Sequence, residues 1–167
     1  CLTLDGSQDY VTLPTLSADF SAGFTLEAWV YLEAGRGGAR IIDLAAAPGS
    51  HALTLCCGGG NQLALCIQNG STTKQLIAPT ALPTGTFVHV AASYNGSGLA
   101  TLYVNGESVA SDSAMPSPER VTRALCFFGK DTRGTDPLFQ GRLAEVRIWT
   151  TARSVAAIRA GLRGRQD

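Results

Sequence analysis

Residues 138–162 read LFQGRLAEVRIWTTARSVAAIRAGL, and the period of the stretch changes partway along. Up to Trp149 apolar and polar residues alternate, which is the pattern of a strand with one face buried. From Thr151 onward Val155, Ala157, Ile158 and Leu162 fall on one stripe at helical spacing, with Arg153, Arg159 and Arg163 off it. The spacing predicts a strand followed by a short helix, with Thr150 or Thr151 as N-cap and Gly161 or Gly164 as stop. Laid against a sheet, such a helix buries its stripe and covers strand groups that would otherwise be unpaired. Arg153, Arg159, Arg163 and Arg165 then form a solvated helix face or, on a second reading, a patch for an acidic ligand.

Alternation with period two continues through the rest of the chain. LTLDG, YVTLP, FTLEAWVYL, RIIDLAA, HALTLCC, QLALCIQ, TKQLIA, TFVHVAASY, LATLYVNG, ESVAS and ALCFFG each read as short strands. Between them lie turns rich in Gly, Asn, Asp and Pro, among them GGGN, NGST, YNGSG and DTRGTDP. The Asn105-Gly106 pair between LATLYV and ESVAS predicts a tight hairpin, because both residues tolerate the positive φ angles of a type I′ turn. About a dozen short antiparallel strands imply two packed sheets, so the expected class is an all-β jelly-roll β-sandwich with a short C-terminal helix. No linker, charge run or internal repeat divides the chain, and residues 1–167 are read as a single domain.

The 13 basic and 13 acidic residues cancel, which removes the overall field that would draw in nucleic acid or an anionic membrane. The apolar runs are far shorter than the roughly 18 residues of a membrane span. The first residue is Cys1 and a strand follows almost at once, as expected of an excised module or a processed product. The five cysteines, Cys1, Cys56, Cys57, Cys66 and Cys126, show no zinc spacing, and their odd number leaves at least one thiol unpaired within the chain. In LTLCCGGGNQLALCI, pairing Leu55 with Leu65 sets Cys56 and Cys66 diagonally on one face. That leaves two readings, small reduced core residues or a Cys56–Cys66 bridge, and neither is catalytic.

In the order LDGSQDYVTLP, FTLEAWVY, FVHVAASYNGSGLATLYVNGESVAS, FQGRLAEVRIWTTARSVAAI, the chain resembles the laminin G-like, concanavalin A-like domains, in particular their pentraxin-related branch. The resemblance covers nearly the whole chain. It implies a jelly-roll module of lectin-like, adhesive type in a larger extracellular protein, with a glycan or protein ligand, other domains of a parent protein as neighbours, and frequently one calcium ion. The odd cysteine count leaves a cytoplasmic setting open. The resemblance also implies that the first and last long strands pair. In FTLEAWVYL, Phe24, Leu26, Ala28, Val30 and Leu32 should face the core, and Thr25, Glu27, Trp29 and Tyr31 the other side. In GRLAEVRIW the corresponding sets are Ala144, Val146, Ile148 and Leu143, Glu145, Arg147, Trp149. Glu27 and Arg147 then meet across the strands, either as an ion pair or as part of a polar face edged by aromatic platforms.

A glycoside hydrolase on this sandwich would need two acids roughly 5 Å apart. None are spaced for it: Glu145 has Arg147 beside it, and Glu27 has no second acid at i+2 or i+4. The expected function is therefore non-catalytic binding of a carbohydrate or a protein surface, with a structural or oligomerising domain as the alternative. Candidate ligand-binding residues are Arg36 and Arg40 in AGRGGAR, Tyr94 and Asn95 in YNGS, and above all Asp131, Arg133 and Asp136 in DTRGTD. For calcium the candidate oxygens lie on Asp5, Asp9, Asp131 and Asp136, with Asp43 and Glu145 as further carboxylates.

Overall fold

A computed structural model describes residues 1–33 and 37–163. Twelve strands precede one helix in the order β1 (Leu2–Asp5), β2 (Val11–Thr12), β3 (Phe24–Leu32), β4 (Arg40–Ala45), β5 (Leu53–Cys57), β6 (Gln62–Asn69), β7 (Thr72–Ala81), β8 (Phe87–Tyr94), β9 (Ala100–Val104), β10 (Glu107–Asp112), β11 (Leu125–Phe128), β12 (Gln140–Trp149) and α1 (Val155–Leu162). They form two six-stranded sheets, with orders β1-β12-β3-β8-β9-β10 and β2-β11-β4-β5-β6-β7, and every pairing between named strands is antiparallel. This is the jelly-roll β-sandwich that the alternation predicts.

The core lies between the sheets and is built by parity. Phe24, Leu26, Ala28, Val30 and Leu32 of β3 are buried on one side, and Leu53, Leu55, Leu63, Leu65 and Ile67 meet them from the second sheet. Leu55 pairs with Leu65, as the hairpin reading required, so Thr54 stands opposite Cys66, and Cys56, which faces Ala64, lies diagonal to Cys66 on that face. All five cysteines are free thiols. Cys126 is buried, and its Sγ lies 3.3 Å from the Arg123 carbonyl.

Parity fails at one place in β12. Its register against β3 shifts between Ala144 and Arg147, and Glu145 sits there at φ 49°. A bulge adds one residue to one strand and reverses the in-out order beyond it. Leu143 is therefore fully buried in the core, and Ala144, expected inside, pairs beside Trp29 on the outer face. Beyond the bulge Val146 and Ile148 pack against the core as expected.

The helix also begins later than expected. Its N-cap is Ser154, whose Oγ accepts from the Ala157 N–H at 3.2 Å, rather than Thr150 or Thr151. The intervening residues are occupied otherwise: Thr25 Oγ1 donates to the Thr151 carbonyl at 2.8 Å and accepts from the Arg153 N–H at 2.8 Å. Gly161 lies within α1 and the C-cap is Arg163, while Gly164 and Arg165 lie outside the described residues. Ile158 anchors the helix, buried against Ala91 and Tyr103 on the outer face of the first sheet.

Candidate functional site

The two outer faces of the sandwich differ in what covers them. On the first sheet Arg147 does face Glu27 across β12 and β3, with 3.8 Å between Nη1 and Oε1. The carboxylate has nearer partners, however: Arg153 Nη1 at 2.6 Å and Trp149 Nε1 at 2.9 Å. Arg147 in turn pairs closely with Glu145. His89 Nε2 lies 3.7 Å from Glu27 Oε2, and burial pushes the His89 imidazole below its ordinary pKa, so it is neutral there. Glu27 and His89 are wholly inaccessible, so this cluster fastens α1 to the sheet and keeps the Glu27 carboxylate from any ligand.

The second sheet presents a polar outer face. Across β11, β4, β5, β6 and β7 one cross-strand row runs Phe127, Asp43, Thr54, Cys66, Gln75. These are the outward members of strands whose inward members build the core. Arg40, Gln68 and Thr73 widen the row into a groove, and Asp131, Thr132 and Arg133 from the loop before β12 wall it on one side. The cavity measures about 120 Å³. At ~10–15 Å³ per water it has room for roughly ten waters, which is closer to one sugar ring than to a polymer segment.

Asp43 ties this wall to the floor. Its Oδ1 accepts from Thr54 Oγ1 at 2.6 Å and its Oδ2 from the Thr132 N–H at 2.8 Å. Burial raises its pKa, against the pull of these two donors. Asp131 folds the loop on itself: Oδ2 accepts from the Thr135 N–H and Oγ1, both at 3.1 Å, and from the Asp136 N–H at 3.3 Å. Burial alone would raise Asp131, but backbone donors from Thr135, Arg133 and Asp136 hold it below the usual carboxylate range. Asp136 Oδ2 accepts from both Arg40 Nη2, at 2.5 Å, and Arg133 Nη2, at 3.1 Å. The stem of Arg133 crosses Gly49, where φ is 61° and an added Cβ would stand 2.6 Å from Arg133 Cδ.

Of the residues singled out in the sequence, Arg40, Asp131, Arg133 and Asp136 thus converge on one wall. Arg36 lies outside the described residues. Tyr94 is not a loop residue: it ends β8 inside the core, stacked on Phe24 with 5.6 Å between centroids, because its parity points inward. Asn95 builds its own turn, its Oδ1 accepting the N–H groups of Ser97 at 2.8 Å and Leu99 at 3.1 Å. Thr54, Cys66, Gln68, Thr73 and Gln75 were absent from the sequence candidates. Their outward parity on β5–β7 was the available signal, yet nothing in it says which outward face stays uncovered.

The proposed calcium oxygens do not form a ligand set. Asp5 Oδ1 accepts the N–H groups of Ser7, Gln8 and Asp9, and Oδ2 the Ser7 hydroxyl, which together hold its carboxyl far below the ordinary range. Asp131 and Asp136 are turned to arginines and backbone donors. Among the described residues no three His, Cys, Asp or Glu side chains gather as metal ligands would.

The fold has many solved counterparts. Domain 4 of AbnA, a GH43 extracellular arabinanase from Geobacillus stearothermophilus solved with arabinotriose, superposes with a TM-score of 0.80 at 24% identity, covering 95% of this chain and 74% of that one. The SAP-like pentraxin of Limulus polyphemus gives 0.70 at 16%, covering 94% and 78%. The CBM40 of the Ruminococcus gnavus IT-sialidase, solved with alpha2,3 sialyllactose, gives 0.70 at 13%, covering 92% and 96%. No curated protein matches the sequence. A laminin G family model matches residues 5–159, and the chain accordingly belongs to the concanavalin A-like lectin/glucanases superfamily.

Proposed function

We propose that this chain is a single, non-catalytic carbohydrate-binding module of a larger extracellular protein, and that its glycan binds in the groove on the outer face of the second sheet. One observation carries the reading: four strands and one loop direct hydroxyl, amide, guanidinium and carboxylate groups into a single concavity of about 120 Å³. Such a set supplies paired donors and acceptors for sugar hydroxyls. Two solved structures of like fold contain a bound saccharide, arabinotriose in one and sialyllactose in the other, which supports a sugar as the ligand. The acids of the groove are engaged by threonines, backbone N–H groups and arginines, an arrangement that holds a surface in place and leaves no carboxylate pair for glycosidic cleavage. A glycan array is the test. Binding that is lost when Gln75 and Thr73 are both changed to Ala, with the melting curve unchanged, is the expected result. Binding that survives the double change would place the sugar elsewhere.

A second reading, an assembly domain with no sugar site, draws on the opposite face. There Tyr31 and Phe87 stand 5.3 Å apart, only half-buried, with the Arg142 guanidinium 4.6 Å above Tyr31. A concentration-dependent oligomer with a silent array would select it.

A further inference from the structure

We infer that the groove binds an uncharged sugar through the Arg40 guanidinium and takes up no calcium, the Arg40–Asp136–Arg133 cluster occupying the place that a bridging metal ion would need. This inference rests on the carbohydrate-binding reading above and specifies both the ligand class and the means of recognition.

Charge comes first. Within the groove Arg40 and Arg133 stand against Asp43 and Asp131, so the formal charges of the lining cancel, and Asp136 at the rim adds one negative charge. A carboxylate or sulfate on a sugar would find each guanidinium already facing an acid. Hydroxyl groups carry no such requirement.

Geometry excludes the metal. Calcium needs six to eight oxygens at 2.3–2.6 Å. Asp136 Oδ2 is shared by two guanidinium groups at 2.5 and 3.1 Å. Asp131 Oδ1 faces Arg133 Nε at 3.5 Å and Arg40 Nε at 3.8 Å, while its Oδ2 is filled by the Thr135 and Asp136 donors. Both oxygens of Asp43 are spent on Thr54 and Thr132. An incoming dication would therefore have to displace two covalently tethered cations and also repel them at close range.

What remains is a donor. Arg40 leaves β4 with its side chain only 12% exposed and clamped by Asp136, and its Nε is withdrawn from solvent, facing Asp131 Oδ1 at 3.8 Å, so that only the tip of the guanidinium reaches the groove. A guanidinium is a planar fork of fixed N–H directions. Held this way, the small part of it that faces the groove can donate to a sugar hydroxyl, while Gln68, Gln75 and Thr73 across the floor supply both donors and acceptors.

The test uses the intact chain in two measurements. Thermal melting is followed in millimolar calcium and in excess chelator; then a glycan array that includes arabinotriose and sialyllactose is run under both conditions. The expected result is one melting temperature in both solutions, array signals on uncharged glycans only, and no change with chelator. Arg40→Gln and Arg40→Lys should each weaken the bound glycan by about tenfold or more, since even the lysine keeps the charge but loses the fork. A melting temperature raised by calcium, chelator-sensitive binding, or signals confined to acidic glycans would overturn the inference while leaving carbohydrate binding standing. A silent array would overturn the sugar half together with the reading beneath it, and the calcium melt would still judge the metal half without reference to any glycan or to the folding of a variant.

Discussion

Arg153 closes on Glu27 at 2.6 Å from 126 residues away, and in doing so it seats the C-terminal helix on a carboxylate that has no access to solvent. Glu27→Ala leaves Arg153 partly buried without its acid and Trp149 Nε1 without its acceptor. Removing one partner of a buried pair costs about 3–5 kcal/mol. Arg147→Ala should cost under about 1 kcal/mol, because that residue is one-third exposed and its close partner Glu145 is itself half-buried at the surface. Urea unfolding of the two variants side by side measures the difference; equal losses would mean that Arg147 and not Arg153 is the working partner.

His89 gives acid sensitivity to the same cluster. Its pKa is lowered in the fold by burial, against the attraction of Glu27. The unfolded chain binds a proton on this imidazole near pH 6.5, and the folded chain only at lower pH. Stability contributed by the neutral ring is therefore full above about pH 6.5 and falls as the pH drops toward the folded pKa, by at most about 1.4 kcal/mol per pH unit. Unfolding free energies taken between pH 7.5 and 5 should show this slope, and His89→Gln should flatten it. A variant as acid-sensitive as the parent would assign the slope to other groups.

Gly49→Ala should weaken glycan binding more than it weakens the fold. The new methyl would meet Arg133 Cδ at 2.6 Å on a residue held at φ 61°, so the arginine must shift and its bond to Asp136 loosen. The backbone strain is worth about 1 kcal/mol, a shift of a few degrees in melting temperature. Calorimetric titration beside a melting curve separates the two effects, and unaltered affinity would detach Arg133 from recognition.

The thiols should divide sharply by accessibility. Burial pushes Cys56 up to about 11 and Cys57 up to about 12, and raises Cys126 as well, whereas Cys1 is exposed. Only thiolates alkylate readily. Mass spectrometry after a brief pulse of iodoacetamide should find Cys1 modified and Cys126 untouched, with Cys126→Ala costing about 1 kcal/mol of stability and no affinity. Labelling of Cys126 at the rate of an unfolded peptide would contradict its place in the core.

What could be read from the residues depended on range. The Leu55–Leu65 register and the Asn105-Gly106 turn follow from parity and local backbone preference, and the Glu27–Arg147 pairing from parity together with the strand pairing that the resemblance implies; the fold reproduces each. The outward placement of Leu143 failed because a bulge at Glu145 is set by neighbouring strands and has no local sequence mark. DTRGTD could be singled out as a loop rich in charge. That Arg40 would reach Asp136, 96 residues away, could not, since only the sheet order β11-β4-β5 brings the two together. Arg153 had appeared merely as an arginine off a helical stripe, and its role emerged only when the extended run 151–153 carried it back over β3.

The strands beneath the groove interleave two sets of residues. Thr54, Cys66, Gln68, Thr73 and Gln75 point outward, while Leu53, Leu55, Leu65, Ile67 and Leu76 alternate with them toward the interior. Because α1 covers only the opposite sheet, none of the five outward side chains has to satisfy a packing partner from that helix. Thr54 is bound to its place by Asp43, but Gln68, Thr73 and Gln75 can be rewritten one at a time by selection or a combinatorial library at little cost to stability, and a single scaffold can be diversified toward new ligands as antibody loops are toward new antigens, from a rigid floor instead of from loops.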